Sequence, residues 1–482
     1  MRLQNVSFAV SRLFYKVQNN WKSFWSTKDI GKKIIYTFLL LSIFVIGTTI
    51  TAPFIKLNAA SSLGQSNSFI DTLNLIGGGG LKQFSVFALG ISPFINASLI
   101  MMILQTRLFP PIYKLSQSGP QGRRKINIIT RFATLIIAYP QAVFLMKSLS
   151  AGGQYSSYIR FADNIPFSEV SLTYFILPTI LTAASLLALF ISEQITNKGI
   201  GNGTSLIIFV GIASRLPYQF QSAYGHYIGD LGSANGTLVG IIQFITYIIA
   251  YLICVVIVSI FYNAERLVPI QQIGAGRSRN LKEMGKLPIK LNPGGVMPII
   301  FAMMVLSFPS MIVNFLPNDS ASKQWININL QFTQPIGLSL LIFITFVFSI
   351  VMGLQQSRAD KIAEDFAKNS TFIPGVRPGE ETQDYLIAIV FRLSLFSAFY
   401  LVILASMQFV EILTGALNPA TSFGGTSLMI LVSVALETVA QLQARRKTHR
   451  LSRAKVLSRE YLAASRELQE RKHKEESEGL LW

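Results

Sequence analysis

The hydrophobic positions of this chain fall into ten apolar runs, which are separated by polar and mostly basic segments. Nine runs are long enough for helices that span a bilayer, because about 20 apolar residues cross roughly 30 Å of hydrocarbon. The fifth run is weak, since Arg215 and Pro217 interrupt it. We predict an all-α, polytopic membrane protein with ten transmembrane helices. The runs lie near residues 34–55, 81–104, 126–147, 171–192, 205–218, 237–262, 295–316, 336–354, 385–410 and 425–443.

The placement of positive charge favours ten spans over nine. Cytoplasmic loops of membrane proteins carry an excess of Lys and Arg. With ten spans and a cytoplasmic N-terminus, most of the 42 Lys and Arg residues lie in cytoplasmic segments. Leaving out the fifth run would place the basic segments 263–294 and 444–482 outside. Both termini are therefore predicted to be cytoplasmic. The predicted parts are a basic N-terminal segment 1–33, two halves at 34–218 and 219–443, and a charged tail 444–482.

Composition agrees with a bilayer protein. Of the 482 residues, 51% are hydrophobic and 13% are charged, and the mean hydropathy is +0.46. A soluble chain carries about 25% charged residues. The net charge of +19 is one footprint of nucleic-acid binders. Because the basic residues flank the apolar runs, direct DNA binding is disfavoured, and ribosomal RNA stays open as a partner of one exposed loop.

The chain offers little metal or redox chemistry. Cys254 is the only cysteine, so no disulfide forms within the chain. The three histidines (His226, His449 and His473) are scattered, which argues against a His-built metal site. The first apolar run is longer than the core of a usual signal peptide, so we predict an uncleaved first helix. No cofactor and no metal site is predicted.

Two predicted cytoplasmic segments, 263–294 and 355–384, are longer than ordinary connectors. The first is basic and contains glycine, and the second mixes both signs of charge. Long loops with ordered turn chemistry are often functional. The alternative is that both are solvated loops that only satisfy the topology.

The predicted outside stretch 57–80 is polar and small at first, then amphipathic, and ends in four glycines. Four glycines leave a backbone almost unrestrained, which would allow a short helix before them to swing on this joint. The alternative is a loose surface loop. The apolar positions are Phe69, Ile70, Leu73 and Ile76, and the glycines are Gly77, Gly78, Gly79 and Gly80.

Five motifs follow one another in an order and at a spacing that resemble the SecY family. Each motif alone is weak, but together they extend across almost the whole chain and are highly specific. They are Ala88–Ser98, Gly199–Ser205, Leu287–Asn292 leading into Val296–Ala302, Ile373–Gly379, and Gly424–Leu428.

The resemblance implies a channel that translocates unfolded preproteins and releases hydrophobic segments sideways into the bilayer. Its fold would consist of helices one to five and six to ten as two halves, related by an inverted pseudo-twofold axis. A plug near residues 61–80, with its amphipathic part near Asn67–Ile76 and the glycine run as hinge, would close the outer side. The apolar pore ring implied by the resemblance is Ile91, Ile95, Ile208, Ile300 and Ile430.

The resemblance also implies a lateral gate, near which Asn96 and Phe308 lie. Asn96 has an alternative role as a hydrogen-bond partner between packed helices. Arg377 would be the basic residue on which the SecA motor ATPase or the ribosome depends, or it would only rigidify its turn. Three further basic residues at the tip of the fourth loop are candidates for contacts with ribosomal RNA phosphates. They are Arg277, Arg279 and Lys282.

Implied partners are small SecE-like and SecG-like membrane subunits, signal-bearing preproteins and membrane lipids, in a bacterial plasma membrane. An enzyme is not expected, because the chain lacks a P-loop and the motifs of membrane proteases. A secondary transporter is the alternative function. Such proteins usually carry paired ionisable residues at mid-membrane, whereas Arg131, Arg392 and Glu437 form no convincing pair in the sequence.

Overall fold

The computed structural model describes most of the chain. The described residues are 28–57, 77–81, 83–105, 109–149, 159–161, 166, 168–228, 234–272, 285–313, 320–414, 424–448, 451 and 458. Most of the predicted N-terminal segment and of the charged tail therefore lies outside them.

Within the described residues the fold is mainly helical. The helices are α1 (Lys28–Thr49), α2 (Ser92–Leu104), α3 (Pro110–Gln117), α4 (Gly119–Leu149), α5 (Glu169–Lys198), α6 (Gly203–Ala213), α7 (Leu216–Ile228), α8 (Ala234–Asn263), α9 (Met297–Val313), α10 (Ala321–Asn329), α11 (Pro335–Ser357), α12 (Ala359–Lys368), α13 (Glu380–Leu413) and α14 (Gly425–Thr448). The strands are β1 (Ile55–Leu57), β2 (Ile159–Phe161), β3 (Glu265–Gln272), β4 (Gly285–Lys290) and β5 (Thr371–Phe372).

Each of the ten predicted apolar runs contains a helix. Seven helices among the described residues are long and apolar enough to cross a membrane, namely α1, α4, α5, α8, α11, α13 and α14. The helices of the remaining runs are shorter, with 13 residues in α2, 11 in α6 and 17 in α9. The polytopic helical fold is thus confirmed, whereas the count of ten spans stays a prediction.

The second apolar run is not helical over its whole predicted length. Residues 83–91 form turns, and α2 begins only at Ser92. Gly90 has a φ of +50° and Pro93 stands in the first turn of α2, so the backbone turns sharply before the helix starts. Phe84 is fully buried within the turns. Apolar composition marked this segment as buried but not as a turn.

The fifth run contains the end of one short helix and the start of another, α6 and α7. Helix α6 begins after Asn202, whose Oδ1 accepts a hydrogen bond of 3.2 Å from the Thr204 amide. Such a cap satisfies an amide that the helix itself leaves unpaired. After Ala213 a short turn at Ser214 and Arg215 leads directly into α7. Of the two residues that weakened the prediction, Arg215 lies in the turn between the helices and Pro217 lies in the first turn of α7.

The two long segments that were predicted to be cytoplasmic are joined by a small antiparallel sheet of order β4-β3-β5. Strand β3 pairs with β4 from the same segment, and Gln271 and Gln272 of β3 pair with β5 from the second segment. Apolar side chains beneath the sheet, including Val268, Ile373 and Leu386, form one buried cluster with α12 and α13. The two predicted loops are therefore parts of one body.

A second sheet pairs β1 with β2.

Candidate functional site

The five isoleucines of the predicted pore ring belong to one buried apolar cluster. They come from residues far apart in sequence, on or at the start of α2 and on α6, α9 and α14. Their exposed fractions are 0% for Ile91, 6% for Ile95, 3% for Ile208, 3% for Ile300 and 1% for Ile430. The structure thus places these side chains in one buried apolar cluster, which is the arrangement that a closed apolar neck requires. Their role as a pore ring stays a prediction.

Hydrogen bonds in the preceding turns position two of the ring helices, α6 and α9. The turn before α6 is held by α1 and α14, because the Ile200 amide donates to Thr37 Oγ1 at 3.0 Å and Arg445 Nη1 donates to the Gly199 carbonyl at 2.7 Å. Before α9, Asn292 Nδ2 donates to the Gly295 carbonyl at 2.9 Å. These bonds fix where α6 and α9 begin, and therefore where their isoleucines lie.

Asn96, predicted at the lateral gate, lies in a buried polar group between α2 and α4. Gln141 Nε2 donates to Ser92 Oγ at 2.8 Å, and Asn96 Nδ2 donates to Gln141 Oε1 at 3.5 Å. Asn96 Oδ1 has no hydrogen-bond partner within the described residues. This geometry agrees with the alternative that Asn96 bonds between packed helices, and it leaves one acceptor available at the seam.

Phe308, the second gate residue, is partly buried on α9, a helix that packs on α2. Sequence reasoning missed Gln141, although a glutamine within the apolar run 126–147 was a usable signal. Its partners could not be named from the sequence, because Asn96 and Ser92 precede it by 45 and 49 residues.

The glycine run at Gly77–Gly80 is packed rather than unrestrained. Three of its residues are buried and Gly79 is partly buried. A Cβ on Gly78 would lie 2.9 Å from the Phe44 ring, and a Cβ on Gly90 would meet the Gly77 carbonyl. Close approach of neighbouring groups therefore explains these glycines better than freedom does. The hinge role stays a prediction, and the plug residues Phe69, Ile70, Leu73 and Ile76 lie outside the described residues.

Arg377 is held by its backbone and presented by its side chain. Thr382 Oγ1 donates to the Arg377 carbonyl at 2.7 Å, and the Arg377 amide donates to Glu381 Oε2 at 3.4 Å. The side chain is 87% exposed and lies 3.8 Å from the Glu381 carboxylate. The turn is thus rigid while the guanidinium faces solvent. Arg277, Arg279 and Lys282 lie outside the described residues, between β3 and β4.

One ion pair joins two of the apolar helices. Arg131 Nε of α4 lies 2.7 Å from Glu193 Oε1 of α5, with side chains 53% and 27% exposed. Glu193 stands near the end of α5, beside the turn that precedes α6. Sequence reasoning had noted Arg131 without a partner. Among the described residues, no group of three or more His, Cys, Asp or Glu side chains is arranged to hold a metal ion.

Known proteins share both the sequence pattern and the architecture of this chain. A family model named SecY matches residues 85–439. The chain is 36% identical to the protein translocase subunit SecY of Mycoplasma capricolum over 89% of this chain and 90% of that one. It is 34% identical to the protein of the same name from Bacillus subtilis over 87% of this chain and 95% of that one.

Solved structures share the fold. A protein-conducting channel superimposes with a TM-score of 0.60 and 17% identity, over 86% of this chain and 92% of that one. A SecY structure whose plug domain stabilises the closed state superimposes at 0.56 with 16% identity over the same shares. Sec61 from a canine ribosome-channel complex superimposes at 0.53 with 16% identity, again over 86% and 92%. The chain therefore belongs to the SecY family.

Proposed function

We propose that this chain is the channel subunit that moves unfolded preproteins across a bacterial plasma membrane and releases hydrophobic segments sideways into lipid. Its membership in the SecY family, whose named relatives are protein translocase subunits, supports the proposal. The chain needs no catalytic group for this activity, and the driving force comes from a partner. Both termini face the cytoplasm in this proposal.

The observation that carries the proposal is the convergence of five isoleucines from α2, α6, α9 and α14 in one cluster. A peptide in transit must pass while ions are kept out. Apolar constrictions exclude ions by dewetting. Branched aliphatic side chains close around a strand of variable width and offer it no hydrogen bonds, so they do not hold the substrate at any one residue.

Sideways release selects segments by their free energy in lipid. Leu, Ile, Phe or Val contributes about −0.3 to −0.6 kcal/mol at the centre of a helix, whereas Asp, Lys or Arg costs about +2.5 to +3.5 kcal/mol. An apolar segment of about 20 residues therefore leaves for lipid. The seam between α2 and α9, near Asn96 and Phe308, is the proposed exit.

The cytoplasmic body formed by β3, β4, β5, α12 and the turn 373–379 is the proposed docking platform for the SecA motor ATPase or the ribosome. The exposed Arg377 guanidinium on a rigid turn supports this role. The related Sec61 structure is described as part of a ribosome-channel complex. Arg277, Arg279 and Lys282, which follow β3 in the chain, would add contacts to phosphate groups. SecE-like and SecG-like subunits complete the proposed complex.

The test is ion leak through the reconstituted complex. Ile300→Asn places an amide in the ring, which favours water in the neck, so the closed-channel conductance in planar bilayers should rise. The matched control is Ile312→Asn on the same helix, where the side chain is 59% exposed. Unchanged conductance in Ile300→Asn, or an equal rise in the control, would refute the ring assignment.

A further inference from the structure

Helix α6 touches the glycine run backbone to backbone. A Cβ built on Gly211 would lie 2.6 Å from the Gly78 carbonyl oxygen and closer still to the Gly78 Cα. No real side chain tolerates backbone atoms at that distance. Gly211 therefore lacks a side chain because the glycine run occupies the place of its Cβ. We call Gly77–Gly80 together with Gly90 and Gly211 the glycine seat.

The glycine seat lies against the buried apolar cluster that contains the five ring isoleucines, which we call the isoleucine cluster. Phe44 and Ile207, which flank Gly78 at 2.9 and 3.5 Å from its Cβ position, both belong to that cluster. Gly211 follows Ile208 of the ring by three residues, so the two lie on neighbouring positions of one helix face. A shift of the glycine run would therefore displace α6, the helix that carries the ring residue Ile208.

One more contact ties α6 and its continuation to the run. A Cβ on Gly79 would lie 3.4 Å from the Gly211 carbonyl oxygen and 3.6 Å from Arg215 Nε. The φ values of +84° at Gly78 and +91° at Gly79 lie where L side chains are strained. The run is thus held in one conformation by α1 on one side and α6 on the other.

We propose that Gly211 is a positioning residue for the seal of the closed channel: by admitting Gly78 into direct backbone contact, it holds the glycine run against the isoleucine cluster. This inference rests on the proposed function of the isoleucine ring. Any side chain at position 211 displaces the run from the cluster and loosens the seal, even though the isoleucines themselves are unchanged.

The test uses two pairs of glycine-to-alanine variants in the intact complex. Gly211→Ala adds a methyl group where Gly78 lies, and its control is Gly225→Ala in helix α7, where a Cβ meets nothing within 4 Å. Gly78→Ala leaves helix α6 unchanged but adds a methyl group 2.9 Å from the Phe44 ring at a φ of +84°, so it displaces the glycine run from the side of α1. Its control is Gly119→Ala, which has a comparable φ of +71° and also meets nothing within 4 Å.

The expected result is a rise of about tenfold in closed-channel conductance for Gly211→Ala and Gly78→Ala, because overpacked contacts shift rather than compress. Both variants should also export substrates with weakened signals. Both controls should keep parental conductance. If Gly211→Ala is not recovered as a folded complex, the conductance of Gly78→Ala alone tests whether the position of the glycine run maintains the seal.

Parental conductance in Gly78→Ala and in any recovered Gly211→Ala overturns the proposal, and so does a leak of equal size in either control. Ile300→Asn, measured in parallel, separates the two claims. If Ile300→Asn leaks while Gly211→Ala and Gly78→Ala stay sealed, only the role of the glycine seat fails. If Ile300→Asn stays sealed as well, the ring assignment itself fails.

Discussion

Ile300 in the isoleucine cluster keeps 3% of its surface exposed, whereas the Arg377 side chain on the docking platform is 87% exposed. The cluster unites buried apolar side chains from distant helices. The platform instead fixes its backbone by hydrogen bonds and leaves a charged side chain in solvent. Substitutions in the two regions should therefore have different effects. Those in the cluster should raise the ion conductance of the closed channel, and those on the platform should weaken binding of the partner.

The largest effect is expected on the platform. Arg377→Glu reverses a charge that the proposed partner meets directly, and such contacts between charged groups are worth about 2–5 kcal/mol. Motor-driven export into vesicles should fall by about 100-fold or more. Conductance of the closed channel should stay parental, because the cluster is untouched.

Lys368→Glu is the control for that variant, since it reverses an exposed charge on α12 of the same platform. Normal export by Arg377→Glu would remove the docking role. A leak in Arg377→Glu would show that the two regions are not separate.

In the cluster, Ile430→Asn should raise closed-channel conductance by about tenfold, since a buried amide without a partner costs about 1–3 kcal/mol and invites water. Binding of the motor to the platform should be unchanged. Planar-bilayer recordings and a binding assay on the same preparation check both statements. If Ile430→Asn bound the motor weakly but kept parental conductance, the cluster would act in docking and not in sealing, which would contradict the prediction.

A smaller effect is expected for the cap of α6. Asn202→Ala removes the acceptor of the Thr204 amide, and the loss of such a cap costs about 1 kcal/mol. The thermal midpoint of the purified complex should fall slightly, with a modest rise in leak because Ile208 lies in the second turn of α6. Asn202→Asp retains an acceptor and should behave like the parent.

The smallest effect is expected beside the seam, at the contact between α2 and α4. Gln141→Leu leaves Ser92 and Asn96 without their interhelical bonds, which are worth about 0.6 kcal/mol each in membranes. The hydrophobicity that a segment needs for release into lipid should shift by a similar amount. Glycosylation-based insertion assays with a graded series of segments measure that shift, and an unchanged threshold would separate Gln141 from the gate.

Apolar length predicted a helix in each of the ten runs, because it is a local signal. The five isoleucines came from the resemblance carried by the ordered motifs, and their role as a ring stays a prediction. It did not predict that the second run turns before Ser92, since apolar composition does not distinguish a buried turn from a helix. Gly90 and Pro93 were the available signals. Together they favour a turn and a late helix start.

Contacts between residues that are distant in the chain also could not be predicted from the sequence. The pairing of β3 with β5 joins residues about one hundred positions apart, and charge alone had presented both segments as loops. The partner of Arg131 is Glu193 on another helix. The glycine run suggested freedom from its composition, but Gly211, which lies far along the chain, packs against it and restrains it.

The central claim is that the isoleucines surround one path for a polypeptide, and site-specific cross-linking tests it most directly. In a Cys254→Ser background, single cysteines replace Ile91, Ile208, Ile300 or Ile430, and a substrate with one cysteine at its midpoint is arrested in transit. Disulfide adducts are expected at all four positions, and none is expected at Ile312→Cys on the exposed face of α9. Adducts at position 312, or no adducts at the ring positions with an arrested substrate, would contradict it.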